Sequence, residues 1–287
     1  MPRFDVHQHF LPQPILEVLR GRREPPRLSG GSLELREGSF PFDERAHDLG
    51  ERVALLDRDG IDVAVVSLAP TMETEPHPEL RDAYHAGMRD VVAAAEGRLL
   101  ALAAGECLPG FPGACVSAGG LVAGLGDLPR DLVRAGGVLF VHPGPPKPPP
   151  AGGPPWWAAV TDYTAQMQAA YFSWISSAAR RHPELQVVFA ILAGGAPFQL
   201  ERLRSRGQDT VGMPPPGLHL DTASYGRRAL ELCLESVGAD RLVYGSDVPV
   251  IDSAPTLRAL EELGGSVLDT VSRENPARLF GVAHPLA

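Results

Sequence analysis

Short runs of β-branched and other apolar residues alternate with longer amphipathic stretches from one end of the chain to the other. Short apolar runs are typical of buried strands, and leucines spaced three and four residues apart are typical of helices. Repeated alternation of the two predicts successive βα units around a parallel sheet. We predict strands at 3–9, 62–69, 99–106, 114–119, 137–144, 186–193, 217–224 and 241–248.

The amphipathic stretches between these runs predict the helices of the same units. The sequence PELRDAYHAGMRDVVAAAEG is typical, because Pro78 favours a first helical turn and Gly97 favours an end. Eight βα units within 287 residues fit an α/β protein with one (β/α)8 TIM barrel as a single domain over 1–287. Helices are predicted at 43–59, 78–96, 164–182, 197–206, 226–238 and 254–264.

Two segments interrupt this rhythm. Residues 22–42 follow the first strand, and residues 144–162, which begin with GPPKPPPAGGPPWW, follow the fifth. Segments that follow strands lie on the C-terminal face of a barrel, where active sites are found. We therefore expect both to be insertions that act as lids; the alternative for the proline-rich segment is a disordered insert.

Composition narrows the class of protein. The formal charge is −9, and no cluster of arginine or lysine indicates a nucleic-acid partner. No apolar run is long enough for a membrane span, and the start MPRFDVHQHFLP does not resemble a secretory signal, so we expect a cytoplasmic protein with no membrane partner. The three cysteines lack zinc-ribbon spacing and are expected to be reduced.

His7 and His9 stand two positions apart at the end of the first predicted strand. Residues with that spacing point to one face of a strand, about 7 Å apart, so two imidazoles can converge on one ion. Taken alone, the pair is better explained as polar residues at a strand end.

His142 and Asp247 strengthen the hypothesis of a metal site. They end the fifth and eighth predicted strands, and therefore lie on the same rim as His7 and His9. Three histidines and one carboxylate suit zinc or a similar divalent ion. The alternatives are that His142 is a solvated loop residue before Pro143 and that Asp247 stabilises the turn at Pro249.

The chain resembles the amidohydrolase-related family typified by aminocarboxymuconate semialdehyde decarboxylase. The resemblance runs in order along nearly the whole chain, through DVHQHFLP (5–12), LLDRDGIDVAVVS (55–67), FVHPG (140–144), AGGAPFQLERL (193–203), LDTAS (220–224), GADRLVYGSDVP (238–249) and ENPARLFG (274–281). It implies a metal-dependent hydrolase or carboxy-lyase whose ligands are His7, His9, His142 and Asp247. It further implies a small carboxylated or cyclic organic substrate, one divalent ion such as Zn2+ or Mn2+, and by analogy a homodimer.

Two residues, Lys147 and Ile191, bear on how the site of this chain compares with those of its relatives. Lys147 is the only lysine and lies in no predicted strand, so a second metal bridged by a carboxylated lysine is not expected. Ile191 stands where relatives commonly carry a strand-six histidine, and an aliphatic side chain cannot transfer protons. Asp247 is then the expected acid–base residue. The alternative is a catalytically silent barrel that binds a metal or ligand.

Other polar and aromatic residues near predicted strand ends are expected to contact substrate, although plain structural roles explain each equally well. The remaining histidines have no matching partners and are expected to be structural or exposed. The expected substrate contacts are Glu106, Trp156, Trp157, Asp221 and Tyr225, with Ser224 beside them.

Overall fold

Parallel strands form the centre of the molecule and confirm the predicted TIM-barrel class. The computed structural model describes residues 1–148, 150–154, 156–208 and 215–281. The strands are β1 (Phe4–His9), β2 (Arg27–Ser29), β3 (Ser32–Leu35), β4 (Gly38–Pro41), β5 (Val63–Ser67), β6 (Leu99–Ala101), β7 (Ala103–Ala104), β8 (Gly113–Ser117), β9 (Val138–His142), β10 (Gln186–Phe189), β11 (Leu218–Asp221) and β12 (Leu242–Val243).

The barrel consists of all these strands except β2, β3 and β4. Pairing runs β1–β5–β6 in one sheet and β7 through β12 in the other, always parallel. Leu102 alone separates β6 from β7, and its backbone N–H donates to the carbonyl of Val66, so the two short strands act as one. Eight strand positions result.

The segment 244–248 joins the last strand position to the first. The N–H of Val6 donates to the carbonyl of Tyr244 (2.8 Å), and the N–H of His9 donates to that of Val248 (2.7 Å). A Cβ atom on Gly245 would lie 2.7 Å from the Cβ of His7, so only glycine permits this approach. This seam carries three of the four expected metal ligands.

Helices surround the barrel. Their ends agree with the predicted helices to within a few residues where both exist, except that the predicted helix 43–59 begins as a 3-10 helix, Glu44–His47, and becomes α-helical only at Leu49. The predicted helix 164–182 contains one π-helical turn, Trp174–Ala178, and another, Ala158–Asp162, precedes it. The α-helices are Gln13–Gly21, Leu49–Asp59, Pro78–Ala94, Ala118–Ala123, Leu128–Ala135, Tyr163–Ser173, Ala179–Arg181, Leu200–Arg204, Arg227–Val237, Ala254–Leu263, Gly265–Asp269 and Asn275–Phe280. Within the part of the chain described, no helix has the length and apolarity needed to cross a bilayer.

The first insertion has regular structure that the apolar pattern did not predict. Strands β2, β3 and β4 form an antiparallel sheet of their own within residues 22–42. Because these strands are short and half-buried or exposed, they lack the continuous apolar run of a barrel strand.

The predicted sixth strand is too long at its C-terminal end. The structure ends β10 at Phe189 and then forms a left-handed turn over Ile191–Gly195, with φ between 47° and 78°. Gly194 permits close contact there, since a Cβ atom would lie 2.3 Å from the carbonyl oxygen of Thr164. The apolar sequence FAILA continues through this turn because the turn is largely buried, so hydrophobicity could not reveal the change of direction.

Candidate metal centre

Four side chains from three strand ends converge at one point of the barrel rim. His7 and His9 end β1, His142 ends β9, and Asp247 follows β12. One ligand atom from each lies within 4.8 Å of those of the other three. Asp247 adopts a left-handed conformation (φ 68°), which aspartate tolerates better than most residues, and this conformation turns its carboxylate towards β1.

The measured separations fit ligands that share one ion. The Nε2 atoms of His7 and His9 lie 3.3 Å apart, and Oδ1 of Asp247 lies 3.5 Å and 3.1 Å from them respectively. Ligands placed about 2.1 Å from a tetrahedral ion are separated by about 3.4 Å. The imidazole rings of His9 and His142 meet edge to face at 5.0 Å between centroids.

The contacts of Nδ1 in His9 and His142 determine whether Nε2 can bind a metal ion. Nδ1 of His9 lies 3.1 Å from the carbonyl oxygen of Ser67, and Nδ1 of His142 lies 2.8 Å from that of Pro143. A carbonyl only accepts, so Nδ1 carries the proton and Nε2 presents a lone pair. Lone pairs that face one another, beside the buried and unpaired Oδ1 of Asp247, form a donor set that suits a divalent cation.

The charges in the centre are strongly coupled. Burial alone would lower the pKa of His7, but the negative charges of Asp221 and Asp247 raise it to about 9. Burial, with the neighbouring histidines, lowers the pKa of His142 well below its usual value. Burial opposes ionisation of Asp247, yet the three histidines hold its pKa below the usual value.

Asp221 lies directly behind the centre, and its side chain is fully buried. Its Oδ2 lies 2.8 Å from Nδ1 of His7. Its Oδ1 accepts hydrogen bonds from the backbone N–H groups of Ile191 (3.0 Å) and Ala223 (2.9 Å). The carboxylate therefore links β1, the left-handed turn and the end of β11, and it has no surface on which to meet a substrate.

A hydrogen bond connects the first insertion to the residue that directly follows the second. The hydroxyl of Tyr163, which begins the helix after residues 144–162, donates to the carboxylate of Glu37 (3.3 Å to Oε1), between β3 and β4. Burial first, and then the charges of Glu37 and Asp247, raise the pKa of Tyr163. Arg36 pairs with Glu73, which follows β5, at 2.8 Å.

The other residues expected to meet substrate lie in varied surroundings. Glu106 is about half exposed and lies 3.6 Å from Nδ1 of His85, on the outer helix Pro78–Ala94. Trp156 and Trp157 stack at 6.2 Å, with Trp156 55% exposed. Tyr225 is half-buried beside Asp221, whose charge adds to burial in raising the pKa of the phenol.

Several histidines outside the centre are built into the framework. His47 accepts a hydrogen bond from the backbone N–H of Leu11 (3.0 Å), and burial lowers its pKa to about 3. His85 accepts one from the N–H of Ala104 (2.8 Å), and His219 is buried in β11.

His77 and His182 are half-buried, and His284 lies outside the described residues.

Three residues behind the centre were missed in the sequence. Asp5, Gln8 and Arg52 are buried polar residues linked by hydrogen bonds to the backbone of β1. Arg52 carried a usable signal, since it falls three residues after Leu49 and four before Leu56, on the apolar stripe of a helix. A charge in an apolar stripe requires a buried partner.

Solved structures with the same fold cover nearly the whole chain. An IDCase from Metarhizium anisopliae is 17% identical with a TM-score of 0.82, covering 99% of this chain and 98% of that one. The 5-carboxyvanillate decarboxylase of Sphingomonas paucimobilis is 18% identical, with a TM-score of 0.72 and coverage of 98% and 99%. A dihydroxybenzoic acid decarboxylase from Polaromonas sp. JS666, solved with manganese and 2-nitroresorcinol, is 16% identical, with a TM-score of 0.69 and coverage of 99% and 98%.

The amino-acid sequence itself identifies the family of the chain. No curated protein sequence matches the chain. The family model described as Amidohydrolase matches residues 4–282, which include all four converging side chains. The chain therefore belongs to the amidohydrolase family, as the sequence motifs indicated, and it is an enzyme of that family.

Proposed function

We propose that the chain holds one divalent ion through His7, His9, His142 and Asp247, and uses it to hydrolyse or decarboxylate a small carboxylated or cyclic organic molecule. The observation that carries this proposal is the convergence of histidine lone pairs on the unpaired Oδ1 of Asp247. Family membership supports it. When bound, the ion would polarise a substrate oxygen and lower the pKa of water in the site.

We assign the acid–base role to Asp247. Its side chain is 14% exposed at the rim, so one carboxylate oxygen can face a substrate while Oδ1 faces the histidines. Ile191 cannot perform this role, and its backbone N–H is already bonded to Asp221. Asp221 is assigned to orienting His7, not to contacting substrate, because its side chain is fully buried.

The metal is expected to be zinc or manganese. Histidine nitrogens and a carboxylate suit zinc, and the Polaromonas decarboxylase was solved with manganese. A single ion is expected because Lys147, the only lysine, lies in the proline-rich segment after β9.

We propose that the chain is a single barrel domain and that the two insertions, residues 22–42 and 144–162, cover its site. Tyr163, the residue after the second insertion, donates a hydrogen bond to Glu37 in the first. The charge of Asp247 raises the pKa of the same tyrosine, which supports a position near the rim. Trp156 and Trp157 are proposed to add an aromatic wall for an organic substrate, and Tyr225 to line the pocket beside Asp221. Glu106 is the weakest of the proposed substrate contacts, because its neighbour is His85 on the outer helix.

Aromatic carboxylic acids are the first substrates to test. Two of the solved structures with this fold are decarboxylases of carboxyvanillate and dihydroxybenzoate.

The experiment incubates protein loaded with zinc or manganese with hydroxylated benzoic acids, lactones and cyclic amides, and follows CO2 release and hydrolysis in parallel. Turnover that depends on the metal is expected, and Asp247→Asn should abolish it. A loaded protein that is inactive on all three classes would instead support the silent metal-binding barrel, which the aliphatic Ile191 favours.

A further inference from the structure

Arg52 is a fully buried cation that the proposed chemistry does not use. It lies on the helix Leu49–Asp59 with 1% of its surface exposed. Its Nη1 donates to Oε1 of Gln8 (2.8 Å), and its Nη2 donates to the carbonyl oxygens of His9 (3.0 Å) and Ala46 (2.7 Å). One of these acceptors is the backbone of a residue in the metal centre.

Gln8 extends this network across β1. The register of β1 against β5 shifts between Asp5 and Gln8, and Nε2 of Gln8 donates to Oδ2 of Asp5 (2.7 Å). The other oxygen of Asp5 accepts from the backbone N–H of His7 (3.2 Å) and of Ser246 (3.0 Å). A chain of hydrogen bonds therefore runs from Arg52 through Gln8 to the residue that precedes Asp247.

These bonds hold the two segments that supply three of the four ligands. His7 and His9 come from β1, and Asp247 comes from the segment 244–248. The backbone N–H of Asp247 joins this segment to β1 by donating to the carbonyl of His7 (2.7 Å). A shift of either segment would change the separations of 3.1 to 3.5 Å among the ligand atoms. Buried groups that are fully hydrogen-bonded resist such shifts.

We propose that Arg52, Gln8 and Asp5 form a positioning relay that sets the metal affinity of the centre by fixing β1 against the segment 244–248. The proposal rests on the proposed metal site but not on any turnover. All three residues act through the backbone of the ligand-bearing segments and none of them binds the ion.

The sign of the effect separates positioning from charge. If charge alone mattered, removal of the positive charge of Arg52 would remove a Coulomb repulsion and strengthen the binding of a nearby cation. Loss of positioning weakens it. Gln8 is neutral, so Gln8→Met breaks the relay at nearly constant volume with no change of charge.

The experiment measures the affinity of the metal-free full chain for Zn2+ and Mn2+ by competition with a chromogenic chelator. We expect affinity about 10–100-fold weaker in Gln8→Met and Arg52→Met, the range seen when outer-shell partners of metal ligands are removed. Arg58→Met is the matched control, because Arg58 lies on the same helix with a side chain 64% exposed, and it should bind like the wild type.

A second readout covers the case in which Arg52→Met fails to fold. The visible absorption of bound Co2+ reports ligand geometry, and we expect its band positions and intensity to change in Gln8→Met but not in Arg58→Met. Unchanged affinity and spectrum in a less stable Gln8→Met would show a merely structural network and overturn the proposal, as would tighter binding in Arg52→Met. If the wild type itself binds no ion, the proposed function fails. If the wild type binds an ion and the variants bind it equally tightly, the relay alone fails.

Discussion

Oδ2 of Asp221 lies 2.8 Å from Nδ1 of His7, on the side of the imidazole that faces away from the other ligands. The other oxygen of the same carboxylate accepts a hydrogen bond from the backbone N–H of Ile191, the position at which the family resemblance implied a histidine. The left-handed turn after β10 is therefore joined to the candidate metal centre through its backbone instead of a side chain. One carboxylate thus contacts both His7 and the backbone of the turn.

Asp221→Asn should weaken metal binding about 10–100-fold, because Asp221 fixes the tautomer of His7. The amide oxygen of asparagine can still accept from Ile191 and Ala223, but its NH2 group would face Nδ1 and favour a proton on Nε2, where the ion binds. The measurement is competition with a chelator. Asp240→Asn, an exposed substitution, is the control; equal affinity in both variants would exclude the orienting role.

Metal binding should tighten as the pH rises. Because the pKa of His7 in the metal-free protein is raised to about 9, the residue is protonated at neutral pH and the ion must displace that proton. The pKa of His142 is lowered by burial, so His142 is already neutral and releases none. We expect the dissociation constant to fall about tenfold per pH unit between about pH 7 and 8.

Calorimetry in buffers of different ionisation enthalpy would count the protons released by binding. About one proton per ion near neutral pH is the expected result. An affinity that is independent of pH over this range would contradict the raised pKa of His7. Asp221→Asn should reduce the pH dependence, since it removes one of the charges that raise this pKa.

Asp247→Asn should abolish turnover, since an amide cannot accept the proton that a carboxylate accepts. We expect weakened but measurable metal binding, because the amide oxygen can still face the three histidines. Activity must therefore be compared at metal concentrations that saturate both proteins. Full turnover by a metal-loaded Asp247→Asn protein would remove the acid–base assignment.

Ala193→Gly should cost less stability than Ala190→Gly. Both alanines are completely buried, but Ala193 has φ 51° whereas Ala190 has φ −62°. A left-handed conformation costs a residue with a Cβ atom about 1–2 kcal/mol, a cost that glycine does not have. The free energy of unfolding from urea titrations should differ between the two variants by about that amount. Equal losses would show that the turn is not strained.

The fold could be predicted because each barrel strand is a short apolar run, whereas the local geometry of the sixth strand end could not. The apolar letters of FAILA are the same for a buried strand and for the buried left-handed turn, so only the backbone distinguishes them. The sheet β2–β3–β4 escaped prediction because its residues are mostly half-buried or exposed.

The convergence of four side chains in the candidate centre could be predicted from the sequence because polar residues end apolar strands, and that they bind a metal stays a prediction. Asp221 also ended a strand, but its role depends on which way the side chain points, and the structure directs it behind His7 instead of towards a substrate. The relay from Arg52 to Asp5 spans 47 positions of sequence and depends on packing that no local pattern encodes.

Metal content tests the central claim most directly. We predict that the purified wild type, reconstituted with zinc or manganese and then dialysed, retains about one ion per chain by elemental mass spectrometry. His9→Ala and His142→Ala should retain almost none, while His182→Ala, outside the centre, should match the wild type. A wild type that retains no ion, or a His142→Ala variant that retains as much as the wild type, would contradict the account.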